Sequence, residues 1–395
     1  MRLVIVSGVV HYQSEGRLWA YGPYAREIDI WADLFSEIVI AAPCRNEKPA
    51  ADSLPFTRDN ITILPQMETG GSSLRAKFIQ LLLLPCLIRG LWRAMRHADA
   101  VHLRCPSNLG LLGTFLAPLF SRYRVAKYAY EWNGYPGEPW TWRLQRRLLR
   151  SAYWSGLVTV YGRWPNQPPH VVSLFPALLT INDLARAGAV ARNKTMSHPL
   201  RLLYAGRLSP GKNVHVLLAA VARLRAQAIL VECVIVGEGS ERPALEAQAA
   251  ELGLMDCVSF AGGVAFKHVF DFYERADVLV LVSKAEGWPK VITEAMAFGV
   301  ICIGSHWGIW RDILGEGRGL VVPPGDVDAL TEAIRHIAMG PHQYDPMRHL
   351  AAVWAQKYSL EGLRDALREL LAAHWGVCAT DFRHRAEAPQ GGAKT

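Results

Sequence analysis

No Cys-x-x-Cys pair occurs among the seven cysteines, at 44, 86, 105, 233, 257, 302 and 378, and their number is odd. That argues against a disulfide scaffold and against a zinc site, and it suits reduced thiols in a cytoplasmic protein. No apolar run reaches the ~20 residues of a membrane span. The richest run, residues 78–92 (FIQLLLLPCLIRGLW), is interrupted by Pro85. The start, MRLVIVSG, turns to glycine after a few apolar residues, so it reads as a first strand and is too short for a signal peptide. Acidic residues are the scarcer charge, 35 against 43 basic, and the net charge of +8 points to anionic partners: nucleotides, nucleic acid or acidic lipid. With 51% hydrophobic residues over 395 positions the chain is long and apolar enough for two domains with full cores, which excludes a disordered tether.

Three ligand motifs are present only in part. GRLSPGK (206–212) approaches a phosphate-binding Walker loop, but Asn213 stands where a Ser or Thr should hold Mg²⁺, and Pro210 lies inside the loop. VGEGSER (236–242) begins as Gly-x-Gly-x-x-Gly and ends in Arg242. It also lies outside the first β/α turn of its domain, where a dinucleotide fold would want it. Asp-Val-Asp at 326–328 resembles a metal-binding pair, but it follows PPG and opens a helix, so capping accounts for it better. The sequence therefore gives no support to an NTPase or a dinucleotide enzyme, and no metal is expected.

What is present is a repeated β/α alternation. Residues 3–7 read as a strand, followed by a long loop around Gly8, Gly16 and Gly22. A helix from Pro23 comes next, with Ile28, Trp31, Leu34 and Phe35 on one face, and then a strand at 38–42. Residues 78–92, flanked by Arg75, Lys77, Arg89, Arg93 and Arg96, suit either a core helix or an interfacial helix lying on an anionic bilayer. The strand at 99–104 should bring His102 and Arg104 near the sheet edge, with His102 either structural or in a catalytic or acceptor-side role. The aromatic stretch 128–142 suits sugar stacking or a cover over the core. The basic helix that follows (RLQRRLLR, 143–150) could also touch acidic lipid. RNKTMSHP (192–199) reads as a linker, and a second β/α series begins after it. The expected division is 1–195, 196–358, a helix over 359–378 packing back on the first domain, and a polar, disordered tail at 379–395.

Chemistry concentrates in residues 285–299, AEGWPKVITEAMAFG. Glu286 should lie on the loop at the carboxyl end of a buried strand (276–283), and Glu294 in the first turns of the next helix, with Pro289 near its start and Gly299 at its end. Ligands of open α/β sheets bind at that edge, and a helix amino terminus favours an anion. A carboxylate pair there could grip vicinal hydroxyls and meet a sugar, or could be a solvated loop Glu and a helix Glu. In LLYAGRLSPGKN, Gly206 permits close backbone approach, and Arg207 and Lys212 are spaced to converge on a diphosphate.

In this order, GRLSPGKN, VGEGSER, VSFAGGV and SKAEGWPKVITEAMAFGV resemble the carboxyl-terminal domain of family 4 glycosyltransferases, retaining enzymes of the GT-B fold. The likeness covers residues 200–336, with the E-x7-E motif and the Arg/Lys loop as its specific parts, while the first half matches only in its general β/α pattern. The resemblance implies two doubly wound Rossmann-like domains facing across a cleft. It implies Arg207 and Lys212 on the donor diphosphate, Glu294 on the ribose hydroxyls and Glu286 beside the donor sugar. The backbone of Gly287, Trp288, Pro289, Lys290 and Val291 would contact sugar and phosphate, and Val264 would border the nucleobase. Two positions depart from the family: Arg104 stands where many members have His, and Arg311 where an acid is common. The expected activity is transfer of a sugar, with retention and without metal or cofactor, from a nucleotide diphosphate sugar to a glycan or lipid-linked acceptor. The setting would be bacterial surface polysaccharide assembly, in the cytoplasm or peripheral on the inner face of the membrane, with an anionic membrane surface as a possible partner and no nucleic acid. A nucleotide-sugar epimerase or hydrolase, or a non-catalytic nucleotide-sugar binder, are the alternatives.

Overall fold

A computed structural model describes residues 1–71, 73–306 and 308–377, so the tail expected at 379–395 and Cys378 lie outside the described residues. The chain divides into two compact units, Met1–Phe175 together with the chain from Leu360 onward, and Pro176–Ser359.

The first unit runs β1 (Arg2–Val6), β2 (His11–Ser14), β3 (Arg17–Tyr21), α1 (Gly22–Leu34), β4 (Glu37–Arg45), β5 (Ser53–Pro55), β6 (Ile61–Gln66), α2 (Leu74–Met95), β7 (Ala100–Cys105), α3 (Asn108–Leu116), β8 (Tyr123–Tyr128), α4 (Trp140–Arg150), β9 (Leu157–Val160) and β10 (Val171–Ser173). Its 10-stranded sheet has the order β10-β9-β8-β7-β1-β4-β2-β3-β5, with β6 also paired to β4. β1 is parallel to both neighbours, β4 and β7. From Leu3 to Val6 its side chains are buried on both faces of the sheet, which is why LVIV is apolar without alternation.

The expected long glycine loop is instead a hairpin. β2 and β3 pair antiparallel across Glu15 and Gly16, whose φ values of 52° and 70° are those of a tight primed turn. α2 runs through Pro85 without a break, and Phe78–Met95 has the length and composition of a membrane span, contrary to the expectation that no run reaches it. Its later part seats Leu87, Leu91, Ala94 and Met95 in the sheet's core, while Phe78, Leu81 and Leu82 are each more than 60% exposed. A wholly core helix is thus excluded: the later turns bury one stripe while Phe78, Leu81 and Leu82 stay exposed.

The aromatic stretch splits in two. Trp132 is fully buried against Tyr128, whereas Tyr130, Tyr135 and Trp142 form a half-buried ring cluster with centroids 5.2–6.5 Å apart. Two cations of α4 are engaged internally. Arg146 is bidentate to Glu138, and Arg150 lies over the Trp132 ring at 5.1 Å. Arg143 and Arg147 are left exposed.

The second unit contains α5 (Ile181–Asn193), β11 (Leu200–Ala205), α6 (Val214–Ala226), β12 (Val231–Val236), α7 (Arg242–Glu251), β13 (Val258–Gly262), α8 (Phe266–Arg275), β14 (Val278–Leu281), α9 (Lys290–Ala297), β15 (Ile301–Ser305), α10 (Trp310–Leu314), β16 (Leu320–Val322), α11 (Val327–Met339) and α12 (Asp345–Ala355). Its sheet is parallel throughout, in the order β13-β12-β11-β14-β15-β16. The segment expected to be a linker, 192–199, is fastened into this unit. Lys194 Nζ donates to the carbonyls of Tyr273 and Glu274, and Ser197 binds the Asp277 carboxylate. The boundary therefore falls at Phe175/Pro176, about twenty residues before the expected position, because the polar side chains that suggested a loop have partners in the second unit. The last helix, α13 (Leu360–Trp375), belongs to the first unit, where it packs on α1 and sets Trp375 against Phe35 and Tyr123.

Glu131 is buried in the aromatic loop, and burial pushes its carboxyl up to about 7. A raised folded-state value means that the folded chain holds a proton the unfolded chain has already lost above its ordinary value near 4.5. Stability from this group is full below that value and is lost as pH rises through 7. Glu131→Gln should therefore raise the melting temperature at pH 8, and thermal melts should show the gain shrinking as the pH is lowered to 5.

Candidate functional site

In the second unit the chain reverses its direction of travel across the sheet between β11 and β14, its two central strands, which leaves a crevice beyond their carboxyl ends. The loops that follow these strands carry the candidate residues. After β11 the chain passes Gly206 and Arg207 and makes a single 3-10 turn, Pro210–Lys212. After β14 it passes Lys284 and Glu286 before α9 begins at Lys290.

Polar ties hold the two loops together. Asn213 is buried in a left-handed conformation (φ 54°) and donates from Nδ2 to the Val282 carbonyl at 3.0 Å. The Lys284 amide donates to the Gly211 carbonyl at 2.9 Å. This explains why Asn stands at the position of the Walker hydroxyl: the side chain fastens one loop to the other. Lys212 Nζ in turn donates to Glu286 Oε1 at 2.5 Å, with side chains only 26% and 11% exposed. Arg207 is exposed and forms no ion pair among the described residues. The two cations thus share a loop as the sequence implied, but one is engaged by a carboxylate and the other faces solvent.

The glycines of VGEGSER serve this loop. Gly237 and Gly239 have φ of 142° and 159°, and a Cβ on them would stand 1.9 Å from the Gly206 carbonyl oxygen and 2.0 Å from that of Leu208. Close approach lets the Leu208 amide bond the Glu238 carbonyl at 2.8 Å. The partial Gly-x-Gly therefore packs loop on loop, which is a different use from cradling a dinucleotide. Val264, half-buried between β13 and α8, lies beyond the same strand edge, where the Gly263 amide bonds Glu238.

Glu294 is 4% exposed in α9 and accepts a hydrogen bond from Tyr273 Oη at 2.8 Å. Sequence reading missed Tyr273, although Phe266, Phe270 and Tyr273 recur at helical spacing on α8 and signal one inward face. A narrow recess beside Glu294 is lined by Lys290, Thr293, Leu178 and Tyr358. The Trp288 ring joins an aromatic cluster with Trp354 and Tyr358. It stacks on Trp354 of α12 at 6.2 Å and 9°, with Arg318 over the far ring at 4.9 Å. Its side chain anchors the loop, and Gly287, Pro289, Lys290 and Val291 remain as the path into α9. Asp326 caps α11 by accepting from the Ala329 amide, and Asp328 pairs with Arg223, so both carboxylates of the DVD motif have structural partners. Among the described residues, no group of three or more His, Cys, Asp or Glu is placed to hold a metal.

His102 needs correction. It lies in the middle of β7, paired with Ile5 and Val125, fully buried and 4.2 Å from the Trp31 ring. Neither ring nitrogen has a hydrogen-bond partner, and burial drives its basicity well below the usual range. It is a neutral core residue with no surface from which to meet an acceptor. The strand continues past it to Cys105, so Arg104 is the residue nearer the edge.

Residues 191–351 match the family model described as Glycosyl transferases group 1. The D-inositol 3-phosphate glycosyltransferase of Streptomyces griseus is 31% identical over 216 residues, covering 52% of this chain and 45% of that protein. The Erwinia amylovora amylovoran biosynthesis glycosyltransferase AmsK is 30% identical over 159 residues, 38% of this chain and 39% of its own. The chain thus spans less than half the length of these relatives. Solved structures are similar over nearly the whole chain. Sucrose-phosphate synthase from Thermosynechococcus elongatus has a TM-score of 0.73 at 20% identity, covering 95% of this chain and 99% of that one. Anabaena HepE in complex with UDP-glucose has 0.70 at 17%, covering 94% and 100%. WaaG, a glycosyltransferase involved in lipopolysaccharide biosynthesis, has 0.62 at 14%, covering 95% and 100%. The fold is GT-B, with two Rossmann-like domains.

Because Gly237 and Gly239 leave no room for a Cβ, Ala at either should cost about 2–4 kcal/mol of stability through backbone strain and clash. Gly211→Ala, with nothing within 4 Å of its Cβ, should change stability by less than about 0.5 kcal/mol. Urea unfolding of the three variants checks the contrast.

Proposed function

We propose that this chain is a retaining glycosyltransferase that moves a sugar from a nucleoside diphosphate sugar to a glycan or lipid-linked acceptor, without metal, as in bacterial surface polysaccharide assembly. The observation that carries the reading is the Lys212–Glu286 pair beside solvent-facing Arg207 at the crevice of a parallel sheet. Breaking the anomeric bond leaves charge on a diphosphate. Arg207, Lys212 and the first N–H groups of α9 would stabilise that charge from fixed positions. When the diphosphate enters, Lys212 would exchange Glu286 for phosphate oxygens, and the released Glu286 carboxylate would then face the sugar and stabilise its oxocarbenium-like centre. Glu294, held by Tyr273, would accept from the ribose hydroxyls, and Val264 would border the base. Retention follows from attack on the same face, with a donor phosphate oxygen taking the acceptor's proton. The Anabaena neighbour was solved with UDP-glucose, which makes that donor the first to test. An epimerase, a hydrolase or a non-catalytic binder would behave differently: only a transferase consumes donor in strict dependence on acceptor.

Arg207→Ala and Lys212→Ala should each lower kcat/KM for transfer by about 2–4 kcal/mol of transition-state stabilisation, with the fold intact by circular dichroism and EDTA present throughout. Wild-type rates in either variant, or loss of all activity to EDTA in the parent, would remove the metal-free clamp.

The first unit would work at the cytoplasmic face of a membrane. Exposed Phe78, Leu81 and Leu82 on α2 are followed by exposed Arg89, Arg93 and Arg96, and basic residues at an anionic surface contribute about 1 kcal/mol each. Binding to anionic liposomes should decline with salt and lose most of its strength when Arg89, Arg93 and Arg96 become Ser. Cosedimentation at low salt decides this, and protein left in the supernatant with anionic and neutral liposomes alike would point to a soluble acceptor.

A further inference from the structure

The sheet of the first unit has its own reversal point. β1 is central, β4 lies on one side, and β7, β8 and β9 continue on the other, so the crevice opens beyond the carboxyl ends of β1 and β7. Arg104 is at that end of β7 and stands in register opposite Lys127 on β8. Glu27 of α1 accepts from Lys127 Nζ at 2.8 Å and from Arg104 Nη1. The side chains of Glu27 and Lys127 are 3% and 4% exposed, and that of Arg104 is 13% exposed, so Arg104 is the member that reaches the surface.

The charges do not balance. Among the described residues, the main charged and polar groups acting on Arg104 and Lys127 are Glu27, the phenols of Tyr24 and Tyr161, and, on Lys127, Arg104 itself. The phenols offer ring faces, Tyr24 at 5.2 Å from Arg104 and Tyr161 at 5.1 Å from Lys127. His102 below them is neutral. Two cations therefore share one carboxylate, leaving a positive charge inside the unit, an arrangement that is costly unless an anion answers it. The adjoining α3 begins three residues after Cys105, and Ser107 Oγ, which caps its Gly110 amide, donates to the Arg104 carbonyl at 3.0 Å. The positive end of that helix thus adjoins the same strand end.

We propose that Arg104, backed by Lys127 and Glu27 at the reversal point of the first sheet, is an anion site that binds a phosphate or carboxylate group of the acceptor. This rests on the transferase reading for the word acceptor, but not for the binding itself. Arg104 presents a planar fork to the anion, Lys127 supplies charge from behind, and Glu27 holds both cations when the site is empty. The site would favour acidic acceptors, such as a phosphorylated carrier or a glycan ending in a uronic acid, over neutral glycans.

Calorimetric titration tests this without turnover, so failure of the transferase reading and failure of this one are separable. The chain carrying Arg207→Ala and Lys212→Ala, which disables the second unit's cations, is titrated with inorganic phosphate and, separately, with glucuronate, and the stronger binder identifies the anion. Saturable binding of one equivalent is expected, weakened tenfold or more by Arg104→Gln and strengthened severalfold by Glu27→Gln, which releases both cations. If Arg104→Gln does not fold, Arg104→Lys keeps the charge and loses the fork, and a severalfold weakening is expected. No binding of either anion, or equal affinity in the parent and a folded Arg104 variant, overturns the proposal.

Discussion

The ion pair between Lys212 and Glu286 joins the two loops that leave the central strands of the second sheet, and the site's remaining geometry depends on that junction. It is short, partly buried, and supported from below by Asn213 on the Val282 carbonyl and by Lys284 on Gly211. Without these ties, the Gly206–Lys212 loop and the approach to α9 would each keep the freedom of ordinary surface loops. With them, a cation and a carboxylate stand at fixed positions before any ligand arrives. Under the proposed function, an incoming diphosphate would take Lys212 from Glu286, exchanging one anion for another and leaving the carboxylate available to a sugar.

The same construction principle operates twice in the chain. Each unit is built on a run of parallel strands whose order reverses beside its first strand, β1 in one and β11 in the other. At each reversal the neighbouring strand ends bring charged side chains together: Arg104 and Lys127 with Glu27, and Lys212 with Glu286. The environments differ. The first cluster is almost wholly enclosed, and burial pushes Lys127 down to about 8, whereas the second leaves Lys212 about a quarter exposed and Arg207 in solvent. The open arrangement would suit the exchangeable diphosphate of the proposed function, and the closed one the fixed anion recognition proposed for Arg104.

The second unit was more legible in the sequence than the first. The run at 276–283, the glycine closing α9, and the spacing of Glu286 and Glu294 are local signals, and each element formed within a few residues of its expected place. What failed depended on long-range packing. His102 looks the same in sequence whether its strand edge is open or closed, and only Trp31 from α1, with β1 and β8 on either side, makes it a core residue. RNKTMSHP reads as a linker because its partners, Tyr273, Glu274 and Asp277, lie about eighty residues away. Trp288 sits in the motif expected to contact the donor, yet Trp354 and Tyr358 take its ring, and nothing in the local spacing indicates that stack. The hairpin at Glu15 and Gly16 did have a local signal, a short turn between alternating residues, which the glycines on either side concealed.

The account depends on the diphosphate displacing Glu286 from Lys212, and a crystal structure with a nucleoside diphosphate sugar bound tests this most directly. The account predicts diphosphate oxygens within hydrogen-bond distance of Arg207 and Lys212 and before the first turn of α9, with the Lys212–Glu286 contact broken and Glu286 turned toward the sugar. A ligand bound elsewhere, with Lys212 still paired to Glu286, would contradict it.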